Sequence, residues 1–173
     1  MVALALLAGS LLLVARVMTV ASRSADVARA TTAATMLAGQ KLEQLRALAF
    51  AFTVDGAPVD DRESDASDWP GAVTGGRGLS LSPPGTLAAN TTGFVDYLDG
   101  RGQWLGHGSS PPAGTAFVRR WSIEADTASS EPVTLVLRVG VWRRGLPGSW
   151  PISDARAWIA VVLLEGAKTR RAM

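Results

Sequence analysis

Residues 1–50 read MVALALLAGSLLLVARVMTVASRSADVARATTAATMLAGQKLEQLRALAF, and the fold turns on them. The first fifteen carry no charge, and the whole stretch contains no proline. Ala and Leu, both strong helix formers, dominate it. The opening part is apolar on every side, which a soluble amphipathic helix is not. Farther along, Val27, Ala30, Ala34, Leu37, Ala38, Leu42, Leu45 and Leu48 recur at steps of three and four, the spacing of one helix face. The pattern predicts one helix over residues 1–52, apolar in its first half and amphipathic in its second. At 1.5 Å per residue such a helix runs roughly 75 Å, far more than a small domain needs. It projects from the body it belongs to, and its task is to join something.

Downstream, the helical pattern breaks between Phe50 and Thr53, where β-branched and aromatic residues lead into Asp55-Gly56 and Pro58. Residues 53–92 are polar and rich in turn formers, which predicts a long surface region with at most a short strand at Gly78–Leu81. Residues 93–173 read as sheet. Phe94–Leu98, the turn Asp99-Gly100-Arg101-Gly102 and Gln103–Leu105 make a hairpin whose glycines permit positive φ. Ala116–Ala125 alternates, with Phe117, Trp121 and Ile123 on one face, interrupted by Arg119. Val133–Trp142 alternates more cleanly, with Val133, Leu135, Leu137, Val139 and Val141 on one face and Thr134, Arg138 and Trp142 on the other. Ala155–Leu164 is apolar on nearly both faces, the mark of a central or doubly covered strand. Lys168–Met173 reads as a basic tail that frays. One helix followed by an antiparallel sheet is an α+β architecture, with the stripe Val27–Leu48 as the cover for one sheet face.

Composition narrows the function. With 173 residues, the chain beyond the helix has room for one small core. The apolar share of 47% argues against disorder. Net charge is +2, and the basic residues occur as singles and pairs rather than as one stripe, so no direct nucleic-acid partner is expected. The absence of cysteine removes disulfides, thiol chemistry and Cys-based zinc sites.

Chemistry-bearing constellations are sparse. The single histidine, His107, sits in LGHGSS beside Ser109 and Ser110, without the orienting acid that an activated nucleophile needs. Gly75-Gly76-Arg77-Gly78 lacks the lysine and hydroxyl residue of a phosphate loop. Six acids lie between Asp55 and Asp68, but their spacing does not match a calcium loop, and solvated loop acids are ordinary. Asn90-Thr91-Thr92 fits a glycosylation triplet that chance produces often. Trp121, Trp142 and Trp158 are read as sheet packing, whereas Trp69, Trp104 and Trp150 fall in or beside loops as candidates for a contact surface. The expectation is no enzyme, with no catalytic, cofactor-binding or metal-binding residue and no cofactor.

The run MVALALLAGSLLLVAR followed by ATTAATMLAGQKLEQLRAL resembles the N-terminal helix of type IV pilin-like proteins, most closely minor pilins and pseudopilins of the prepilin-type cleavage and methylation kind. The resemblance implies a basic leader ending in glycine, then a Phe and a Glu, lying just before Met1, so that Met1 is an internal methionine of the pattern. It implies a structural subunit of a type IV pilus or a type II secretion-like fibre. Its partners would be other pilin or pseudopilin subunits through the helix, inner-membrane lipid before assembly, and a prepilin peptidase acting on the leader.

Met1–Ala15 alone is shorter than the ~20 apolar residues of a membrane span, and the upstream residues of the family pattern would complete it. Arg16, Arg23 and Arg29 follow the apolar run, which by the positive-inside rule keeps the body cytoplasmic. A basic leader reverses that balance. The expected location is therefore a bacterial inner membrane, single pass, with the body in the periplasm, and a pilus or pseudopilus after assembly. The alternative is a membrane-anchored extracytoplasmic binding module that does not polymerise.

Overall fold

The computed structural model describes residues 2–62, 76–126, 133–144 and 158–172. Helix α1 spans Val2–Ala47, 46 residues without interruption, or roughly 69 Å at the standard rise. Eight strands follow: β1 (Phe50–Phe52), β2 (Pro58–Asp60), β3 (Val95–Leu98), β4 (Trp104–Gly106), β5 (Phe117–Ala125), β6 (Thr134–Arg144), β7 (Trp158–Thr169) and β8 (Arg171–Ala172). The fold is α+β, as the pattern of one helix and then strands implies. The main sheet has five antiparallel strands in the order β4-β3-β5-β6-β7, and a small three-stranded sheet has the order β2-β1-β8.

The second half of α1 lies across β5, β6 and β7. Ala34, Leu37, Ala38, Leu42 and Leu45 are buried there against Phe117, Trp121, Ile123, Leu135, Leu137, Val139 and Val141. These are the alternate residues of β5 and β6 expected to face one way, and each such fully buried side chain contributes about 1.5–3 kcal/mol. The stripe begins later than its spacing suggests. Val27 is exposed and Ala30 half-buried, because the helix has already passed the end of the sheet there. The hairpin between β3 and β4 tucks under the helix. Gly102 has φ +80, and a Cβ there would stand 3.0 Å from Leu37 Cδ2, so both the turn and the close approach call for glycine. The Asp99 carboxylate accepts the N–H groups of Arg101 and Gln103, closing the turn.

Four sequence expectations are corrected. Helix α1 stops at Ala47, and Phe50–Phe52 is a strand rather than the helix's last turn. Here pairing overrides propensity. The Asp61 carboxylate accepts the Ala49 N–H, and Phe50 and Phe52 both lie against the Arg170 guanidinium, at 4.4 and 4.7 Å from ring centroid to Cζ. The C-terminal segment is held rather than frayed. Arg170 is buried, bonds Asp60, and leads into β8, which pairs in parallel with β1.

The strand expected to be central is the edge strand β7. Its inner face packs on the core through Val162 and Leu164, while Ile159 and Leu163 stay 49% and 61% exposed. The register steps at Val161, since Val141 faces Val162 while Trp142 faces Ala160. That bulge shifts which residues point inward and blurs the alternation. Finally, Gly78–Leu81 is not a strand but begins as a turn, and among the described residues of the region expected to be loop the only strand is β2.

Candidate functional site

Two features of α1 stand apart from ordinary packing. The first is its projecting half. Every side chain described from Leu7 to Arg29 is exposed. Leu11, Leu12, Leu13 and Val14 are consecutive, so at 100° per residue they cover the full circumference, and Leu12 is 67% exposed. Val17, Met18 and Val20 extend the same surface. The described hydrogen bonds and ion pairs of this half are local. Ser10 and Thr19 donate to the carbonyls of Leu7 and Ala15, and Arg29 pairs with Asp26. Exposed apolar surface that is continuous over several helical turns marks an interaction site, because isolated exposed hydrophobes would be unremarkable and this array is not isolated. Among the described residues, no helix is long and apolar enough to cross a membrane.

The second feature lies where the helix meets the sheet. Arg119, on the apolar face of β5, is completely buried. Its Nη2 and Nε donate to Asp96 Oδ2 at 2.7 and 3.2 Å, and its Nη1 donates to the Leu37 carbonyl of α1 at 2.9 Å. Trp104 Nε1 donates to the other oxygen of Asp96 at 3.3 Å. Lys41, also buried, places Nζ 3.9 Å from Asp96 Oδ2 and 3.7 Å from the Trp121 ring centroid. Charges removed from water persist only when paired and hydrogen-bonded, and this cluster meets that condition while tying helix, β3 and β5 together. Asp96 has no solvent exposure, so the arrangement is suited to fixing the helix on the sheet and not to meeting a substrate.

The interruption of the β5 alternation by Arg119 is the trace this cluster leaves in the sequence. Lys41 was missed, although it falls between Leu37 and Leu45 at steps of four and therefore on the buried face.

The remaining candidates disperse. His107 stacks on Trp104 with ring centroids 5.9 Å apart on the exposed side of the β4 edge, and no described hydrogen bond joins it to Ser109 or Ser110. Asn90 of the glycosylation triplet is engaged in packing, accepting from Arg120 Nε at 2.9 Å and donating to the Ser109 carbonyl. Arg120 also caps the Leu87 and Ala88 carbonyls and lies over Trp142, and burial lowers its pKa. Trp142 and Trp158 pack with Val95, Tyr97 and Val118 on the sheet's outer face.

Of the six loop acids, Asp55 is exposed, Asp60 pairs with Arg62 and Arg170, and Asp61 holds Ala49. Glu63, Asp65 and Asp68 lie outside the described residues, as do Gly75, Trp69 and Trp150. Among the described residues, no three metal-ligating side chains gather. Comparison with protein-family models, with characterised proteins and with solved structures finds no match for this chain.

Proposed function

We propose that the chain is a structural subunit of a filament, a minor pilin or pseudopilin of the type IV pilin-like kind, held in a membrane by its N-terminal helix before assembly. The observation that carries this reading is the exposed, all-round apolar surface of α1 from Leu7 to Val20, on a helix that continues as one rod into the body. Solvation supplies the mechanism. Before assembly the apolar surface is covered by lipid, and in the fibre by the helices of neighbouring subunits. The exchange replaces one apolar surround by another, so close packing and polar pairing decide the association. The body stays outside the fibre axis, with its loops free to meet partners. A membrane-anchored binding module that does not polymerise would need the same lipid contact but no close helix packing.

Gly9→Leu separates the two readings. A Cβ at Gly9 meets nothing within 4 Å in the subunit, so the substitution leaves the subunit itself undisturbed. Leucine adds apolar surface, so membrane insertion is kept or strengthened, but its bulk holds neighbouring helices apart. The expected outcome is a subunit that fractionates with membranes at the wild-type level and is lost from sheared, purified filaments. Entry of the Gly9→Leu protein into filaments at the wild-type level would overturn close packing at that position. Absence of the wild-type protein from any filament would overturn the subunit reading itself.

A further inference from the structure

We propose that the end of the body from which α1 emerges binds the headgroups of an anionic membrane, through a collar of arginines beside the helix. The inference rests on the reading that the apolar half of α1 sits in lipid before assembly, and it adds what the body does there. The sheet register brings the collar together. Leu98 pairs with Phe117, Phe117 with Arg143 and Arg143 with Ile159, so the turn Asp99–Gly102, the start of β5 and the end of β6 share one end of the sheet. The helix leaves past that same end, where Arg29, Gly100 and Arg143 line a common groove. Arg23 and Arg29 on the helix and Arg101 and Arg143 on the body therefore lie toward one exit, with Arg144 at the same end of the sheet on its outer face and Arg16 farther out along the helix.

Their charge is not neutralised by the described residues. Among the described residues, the side chains of Arg16, Arg23, Arg101, Arg143 and Arg144 have no hydrogen-bond or ion-pair partner. Of the two described acids at this end, Asp26 pairs with Arg29, and Asp99 is occupied by the N–H groups of its own turn. Among the described residues at this end, six arginines against two acids leave a surplus of four positive charges. Elsewhere the described acids are largely matched. Glu43 pairs with Arg46, Asp60 with Arg62 and Arg170, and Glu124 and Glu165 both with Arg138. The larger part of the described excess thus lies at one end, since the ten basic residues described elsewhere face eight acids.

The helix decides in favour of a lipid surface. Its dense run of exposed large apolar side chains reaches Val20, and Arg23 follows, with Val27 alone beyond it. With the apolar surface in hydrocarbon, Arg23 stands at the headgroups. Arg29, with Arg143 beside it, then stands roughly 9 Å farther out, within the ~10 Å Debye length at moderate salt. Arg16 lies near the edge of the apolar run, where an arginine reaches the interface by snorkelling. A nucleic acid would leave the apolar rod beside these charges in water, whereas a lipid surface covers the rod with hydrocarbon and meets the charges with headgroups.

The chain has no cysteine, so a single Gly100→Cys carries one fluorophore at the collar. Residue 100 is exposed, and a Cβ there meets nothing within 4 Å. The full chain is floated with vesicles of phosphatidylcholine alone, or with about 30% phosphatidylglycerol, each containing a headgroup-quencher lipid. The chain is expected to float with both, and quenching is expected to rise when phosphatidylglycerol is present. The rise should vanish at about 500 mM salt and in the triple variant Arg101→Gln, Arg143→Gln, Arg144→Gln, which should still float on phosphatidylcholine as wild type does. Arg101→Glu, a single change in the exposed turn, should remove most of the rise and serves if the triple variant loses its fold by circular dichroism. Equal quenching on the two vesicles, or an undiminished rise in the variants, would overturn the collar alone. Failure to float on either vesicle would overturn the lipid-held helix as well. Salt-sensitive binding of a short duplex DNA that is lost in the triple variant, with no response to phosphatidylglycerol, would assign the collar to nucleic acid and overturn the proposal.

Discussion

From Leu7 to Arg29 the described side chains of α1 are exposed around the whole circumference, whereas from Ala34 to Leu45 the helix buries one face and presents the other to water. The two halves are one unbroken rod with similar Ala- and Leu-rich composition. What differs is the arrangement of the polar residues. In the second half they lie opposite the apolar stripe, and the one charge within that stripe, Lys41, is met by Asp96 and the Trp121 ring. In the first half no polar face exists between Leu11 and Val14 to turn toward water. A helix of the second kind is completed by its own sheet, and one of the first kind is completed only by something outside the subunit. Stability should therefore live in the second half and assembly in the first.

The largest break in this division comes from Asp96→Ala. It leaves the fully buried Arg119 guanidinium and the Lys41 ammonium without the carboxylate they share, on the surface that docks the helix. Removing one partner of a buried pair costs about 3–5 kcal/mol, a large part of a small domain's margin. Chemical denaturation should show that loss, with the helix detaching from the sheet as the fold fails. A change under about 1 kcal/mol would mean that the cluster merely tolerates burial and does not hold the helix.

Matched truncations of one residue type give the next largest effect and compare the halves directly. Leu42→Ala empties a site packed against the sheet and should cost about 2–5 kcal/mol, depending on how far the surroundings relax. Leu12→Ala removes the same atoms from an exposed position and should change the stability of the body by less than about 0.5 kcal/mol. Equal costs would mean that the projecting half also contributes to the body's stability.

Much of this division is legible in the sequence, for a physical reason. Long helices and alternating strands carry a period, and α1, the β3–β4 hairpin, β5 and β6 all show theirs within a few residues of the observed bounds. The parts that escape reading depend on partners distant in the chain. Strands β1 and β8 have three and two residues and are separated by more than a hundred, and nothing local announces that Arg170 will lie between Phe50, Phe52 and Asp60. The edge position of β7 was masked because the bulge at Val161 puts apolar residues on both faces, a pattern shared with a covered strand. Lys41 and Arg119 were each visible as a charge at an apolar position. Recognising them as a pair needed the packing of helix on sheet, which neither local period specifies.

The smallest effect is spectroscopic, and it asks whether the body senses the projecting half at all. Tyr97 is the only tyrosine, so the phenolate absorbance of the whole protein reports one group in the body. Its hydroxyl donates to the Gly108 carbonyl at 2.7 Å, and its side chain is buried. Burial raises its pKa above the ordinary 10.0, and the positive charge of Arg120 offsets part of that rise. The unfolded chain therefore ionises first as pH climbs. The stability Tyr97 contributes is complete below pH 10.0, falls as pH rises above it, and is gone once pH passes the folded value. Base titration of the native protein should show phenolate appearing later than in denaturant, together with loss of the near-ultraviolet circular dichroism of the core tryptophans. A native midpoint at or below that of the denatured chain would contradict the burial of this side chain. The same titration on a chain beginning at Ser24 should superimpose on that of the full protein, because nothing described between Leu7 and Ser22 touches the sheet that holds Tyr97. A displaced curve would show that the projecting half reaches the body, and the two halves of α1 would no longer be separable.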